Sequence, residues 1–184
     1  MHWFAAPEYG IARLLLERGL ALIYVLAFLN AIRQFPALLG DRGLLPARDF
    51  LRDTAWRDAP SLFHFGYSDT RLRAAAGTGI VLAVALLLGL PQSGPLPVTM
   101  LAWLVLWALY LSIVNIGQRF YAFGWESLLL EAGFLAVFLG NDAVGPPLPV
   151  LLLFRWLAFR VEFGAGLIKL RGDPCWRDRT CSAD

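Results

Sequence analysis

From Leu96 to Gly117 the chain runs without one charged residue, long enough to cross a bilayer as a helix. A spanning helix needs ~20 mostly apolar residues, because every backbone polar group must be satisfied within the hydrocarbon. That demand leaves few alternatives to helix in such a segment. Trp103, Trp107 and Tyr110 give this stretch an aromatic side. Four further stretches read the same way: Ile11 to Ile32, Leu72 to Leu90, Phe120 to Gly140 and Pro149 to Leu170. The expected fold is an all-α, polytopic transmembrane helix bundle of about five spans, forming a single domain over residues 1–184.

Composition supports a bilayer over water as the solvent. The chain is 58% hydrophobic and 16% charged, against about 45–50% and about 25% in soluble domains. A net charge of +2 is too small for a partner held mainly by phosphate contacts, so no nucleic-acid role is expected. Membrane lipids are the expected surroundings. No small-residue cleavage site follows the first apolar stretch, which argues against a removable secretory signal.

The long connection, residues 33–71, is expected to lie along the interface. Pro46 can open a short helix with Leu45, Phe50 and Leu51 on one side, and Phe63, His64, Phe65 and Tyr67 suit headgroup depth. Ser68 and Asp69 are the natural N-cap of the second span. This loop and the C-terminal end share one side of the membrane, and that side carries nearly all the arginines outside the spans. The positive-inside rule therefore assigns it to the cytoplasm.

The last two stretches carry ionisable groups at membrane depth, where each costs at least ~2.5–3.5 kcal/mol and calls for a partner or a wet cavity. They are Glu126 and Glu131 on one, and Arg155, Arg160, Glu162 and Lys169 on the other. Arg155, Glu162 and Lys169 recur every seven residues, a turn of about 700°, so they form one stripe of alternating sign. Glu126 and Glu131 point about 140° apart on an ideal helix, so only one is expected to meet the stripe. The set reads either as an ion-pair network holding the bundle or as a polar pocket with perturbed proton affinities. Gly164, Ala165 and Gly166 allow a neighbouring helix to come close. Lys169, the only lysine in the chain, either snorkels to the interface or serves as a desolvated base. Trp125 and Trp176 are expected interface anchors. No metal-ligand spacing and no cofactor motif is present. Cys175 and Cys181 allow a disulfide in an oxidising compartment.

Four runs carry a resemblance: RGLALIYVLAF (18–28), GLLPARDFL (43–51), FYAFGWESLLLEAGFLAVFLG (120–140) and FGAGLIKLRGDPCWRDRTC (163–181). Together they resemble the membrane part of the lipase maturation factor family. The resemblance implies a non-enzymatic membrane protein, in eukaryotes resident in the endoplasmic reticulum, that helps secreted dimeric lipases fold and assemble. It implies a further C-terminal region in family members beyond the segment present here. It also implies a lumenal C-terminus, opposite to the orientation the arginines suggest. An arginine-rich chain of this kind also suits a bacterial inner membrane. A shorter pattern, Ala165-Gly166-x-x-Lys169-Leu170, is similar to a segment of vitamin K-dependent gamma-carboxylases. That similarity implies an alternative, a membrane enzyme using Lys169 as base on a quinone or lipid substrate.

Overall fold

The computed structural model describes residues 5–172. Among them are six α-helices: α1 (Gly10–Leu39), α2 (Ala47–Asp53), α3 (Asp69–Leu88), α4 (Leu96–Asn115), α5 (Gly124–Ala136) and α6 (Leu148–Gly172). No strand forms among these residues beyond one isolated bridge, Ala5 to Pro147. Cys175, Cys181 and Trp176 lie outside the described residues.

Among the described residues three helices are long and apolar enough to cross a membrane: α1 with its leading turn, α3 and α4. The all-helical membrane architecture is as expected, while the segments differ in reach. The first helix continues well past Ile32, through Pro36 to Leu39. Hydropathy registers only the hydrocarbon-buried part, whereas a 30-residue helix rises ~45 Å and projects into the headgroup layer. α5 is helical over thirteen residues, ~20 Å, too short to cross the ~30 Å hydrocarbon alone. Its end unwinds through turns at Phe138 and Leu139 into Gly140, whose φ of 92° favours glycine. α6 has the length for a span, but Arg155, Arg160, Glu162, Lys169 and Arg171 interrupt its apolar run.

The expected caps are in place. Ser68 Oγ accepts from the Arg71 amide at 3.1 Å at the start of α3. Pro46 precedes the seven-residue α2 as foreseen. At the other end of α3, Gly89 takes a left-handed conformation while its amide and that of Leu90 return to Leu86 and Ala85. This is a helix stop that glycine favours because it lacks a Cβ.

The core lies between α1, α3 and α4. Tyr24, Phe28, Trp103 and Tyr110 form its buried aromatic centre, with Tyr110 edge-on to both Tyr24 (5.5 Å) and Phe28 (5.4 Å). α1 and α3 approach so closely that a Cβ at Gly79 would overlap the Phe28 ring. At the loop end, Ser61 Oγ donates to Ser112 O (2.8 Å) and Asn115 Nδ2 to Pro60 O (2.7 Å), binding the long connection to the end of α4. Tyr67 donates to Asp69 there, and burial together with that carboxylate raises its phenol far above the ordinary range.

Candidate functional site

A cavity of about 510 Å³ opens between α1, α4, the turn at 118–121 and the start of α5. Aromatic walls from Phe120, Phe123 and Trp125 surround a small polar set: Asn30, Gln34, Tyr110, Tyr121 and Glu126. Such a mix of apolar lining and few convergent polar groups is the usual composition of a binding pocket.

Glu126 is the centre of this set. It lies in the first turn of α5, where the helix dipole favours negative charge. One carboxylate oxygen accepts the Tyr110 hydroxyl of α4, and the other accepts Trp125 Nε1 at 3.2 Å. Tyr24 on α1 donates to Leu129 O at 3.1 Å one turn further along α5. That bond needs a residue without side chain at Gly133, since a Cβ there would overlap the Tyr24 hydroxyl. Gly133 is thus what lets α5 settle against the core.

The two glutamates diverge as their spacing predicts. Glu126 turns to α4, while Glu131 forms an ion pair with Arg160 on α6. The partner of Glu131 is not a member of the seven-residue stripe: Arg160 is five residues beyond Arg155, about 140° around the helix. Arg155 instead stands over the Tyr9 ring, 5.3 Å from its centroid. Glu162 borders a groove that it shares with α1 and α5. Lys169 lies on an exposed surface in the last turns of α6, apart from the Glu126 cavity. The stripe therefore does not gather with Glu126 into one polar core among the described residues. A Cβ on Gly164 or Gly166 meets nothing within 4 Å, so the small-residue segment has no close helix neighbour among them either. Trp125 is exposed and stacked on Phe123 at 4.6 Å, a suitable interface anchor.

A second polar assembly, at the opposite end of the bundle, escaped the sequence reading. Glu17 is 1% exposed, Gln92 1% and Asn141 2%. Gln92 Nε2 donates to Glu17 (3.4 Å) and to Leu86 O (3.1 Å), and Asn141 Nδ2 donates to Gly94 O (2.8 Å). Arg13 donates to Asn141 O and Val144 O, both at 2.6 Å, and Arg18 donates to Leu86 O. These contacts tie α1 to the α3–α4 and α5–α6 turns. The available signal was two uncharged polar residues, Gln92 and Asn141, in the Gly/Pro-rich turns PQSGP and NDAVGPP. Glu17 gave a weaker one, as an acid between two arginines at the mouth of the first span.

Comparison with known proteins bears on what this arrangement belongs to. The family model described as the lipase maturation factor transmembrane domain matches residues 11–183. Lipase maturation factor 1 of Mus musculus is 43% identical over 197 residues, covering 94% of this chain and 33% of the relative. Lipase maturation factor 1 of Homo sapiens is 44% identical over 189 residues, again covering 94% and 33%. Lipase maturation factor 2 of Xenopus laevis is 36% identical over 195 residues, covering 92% and 26%. The chain thus spans about a third or less of the length of these curated relatives. No solved structure matches it. With three helices able to cross a bilayer and this match over almost all of its length, the chain is an integral membrane protein that belongs to the lipase maturation factor family.

Proposed function

We propose that this chain is the membrane part of a factor that assists secreted lipases to fold and assemble. The observation that carries the reading is the family match over residues 11–183. The fold supplies a compatible scaffold: a rigid α1–α3–α4 core that presents the long loop and the aromatic-walled Glu126 cavity at the same end. A client or helper protein meets that end first. The host membrane is the endoplasmic reticulum in a eukaryote or the inner membrane in a bacterium. Cys175 and Cys181 are disulfide candidates if their side is oxidising. Lys169 acts as a surface cation rather than as a base, in keeping with its exposed place on α6.

The test is the specific activity of a co-expressed secreted lipase in cells with this protein, its Lys169→Ala variant, or neither. Activity per unit lipase that needs the factor and is restored equally by both forms is the expected result. Restoration by the wild type alone, at equal expression, moves the function to lysine-dependent chemistry of the gamma-carboxylase type. Equal lipase activity in all three strains refutes the maturation role.

A further inference from the structure

α6 meets the bundle along a cleft rather than a packed seam. Two adjoining hollows, each about 440 Å³, lie between α1 and α6, and both are bordered by Leu16, Phe154 and Ala158. Together they border the cleft between α1 and α6. Its mouth holds Tyr9 and Arg155. Its inner part is walled by Leu20, Leu157 and Val161, with Glu162 at the far limit.

We propose that this cleft binds an anionic phospholipid, with Arg155 taking the phosphate and one acyl chain lying along the apolar run. Three observations carry the assignment. First, the cleft has a cation at one end only of an apolar wall, as a headgroup above a chain requires. Among the described residues Arg155 is met by the Tyr9 ring and by no carboxylate. A ring face attracts the charge, but the guanidinium's five N–H donors still call for oxygen acceptors, and phosphate matches their fork. Second, the other arginines at this end are engaged, Arg13 by Asn141 O and Val144 O and Arg18 by Leu86 O. Arg155 is thus the cation of the cleft itself. Third, below Arg155 the wall continues through Leu157 and Ala158 to Val161, ~9 Å along α6, room for the upper part of one acyl chain within the leaflet. The cleft opens beside exposed apolar side chains, with Leu15 67% exposed at its border. An acyl chain is the occupant a bilayer supplies there.

The site can be tested on the purified 184-residue chain in a mild detergent, with native mass spectrometry to count bound lipid. Phosphatidylglycerol and phosphatidylcholine of identical acyl chains are offered in equal amounts. The wild type is expected to retain phosphatidylglycerol about fivefold over phosphatidylcholine, the factor one basic residue near anionic lipid provides. Arg155→Gln should remove that preference, Arg155→Lys should keep most of it, and Arg52→Gln at the opposite end should leave it unchanged. Leu16→Trp, which fills the cleft without altering charge, should lower retention of both lipids. A preference that survives Arg155→Gln overturns the proposal. So does one indifferent to Leu16→Trp, which would mean attraction to surface charge without a cleft. Should Arg155→Gln fail to fold, the Arg155→Lys and Leu16→Trp results decide alone.

Discussion

The α1–α3–α4 core and the α6 face are built from similar residues, yet they are held in opposite ways. In the core, Tyr24, Phe28, Trp103 and Tyr110 are at most 2% exposed, and Gly79 lets α3 close on α1. Its polar groups are buried and partly answered: Gln92 joins Glu17 to Leu86 O, while Glu17 Oε1, Gln92 Oε1 and Trp103 Nε1 have no partner among the described residues. On α6 only Leu151 and Leu157 are buried, while Trp156, Phe159 and Phe163 are exposed. Its ion pair, Arg160 to Glu131, is half-exposed, with side chains at 52% and 45%. Close helix contact in a membrane comes from small residues and satisfied polar groups rather than from hydrophobicity, since lipid is as apolar as leucine. α6 has the small residues at Gly164 to Gly166, but they do not face a described neighbour.

That contrast makes graded predictions. Gly79→Leu drives a branched side chain into the Phe28 ring, and overpacking of this kind costs ~1–3 kcal/mol or more. A large fall in the detergent melting temperature is expected; an unchanged one would mean α1 and α3 are not in close contact. Glu17→Ala removes one of the two acceptors of the buried Gln92 amide and should cost about 1–3 kcal/mol, read from the same melt. Stability within experimental error of wild type would show that the buried knot is solvated. Arg160→Gln breaks a half-exposed ion pair rather than a buried contact, so a smaller loss than that from Glu17→Ala is expected. A loss as large as that from Glu17→Ala would erase the distinction between the two regions. Smallest of all, Glu162→Ala should shift stability by no more than ~0.5 kcal/mol, because the residue is exposed. A substantial drop would restore Glu162 to a structural network.

Much of the fold was legible because the bilayer leaves a chain few choices. The uncharged run of α4, the Ser68 cap, the Pro46 start of α2 and the opposed directions of Glu126 and Glu131 all follow from local chemistry and helical period. Less legible were element ends and side-chain partners. Hydropathy could not tell that α5 stops at Ala136, because an apolar turn scores as well as an apolar helix. Periodicity aligned Arg155, Glu162 and Lys169 correctly on one face, yet it could not say what stood opposite. Tyr9 stands at Arg155, a cleft shared with α1 and α5 stands at Glu162, and Arg160, off the stripe, meets Glu131.

By itself, then, the sequence determined that this protein is a helical membrane bundle of the lipase maturation factor family. The hydrocarbon requirement and four distinctive runs needed no third dimension. Only the tertiary structure decided which polar groups meet. It buried Glu17, Gln92 and Asn141 together across more than a hundred residues of chain, and it set Glu126 against Tyr110 in an aromatic cavity. The reason is geometric: a helix's period fixes the direction of a side chain, but its partner depends on how the helices cross. That crossing is governed by close contacts such as Gly79 on Phe28 and Gly133 on Tyr24, and no single segment contains both halves of either contact.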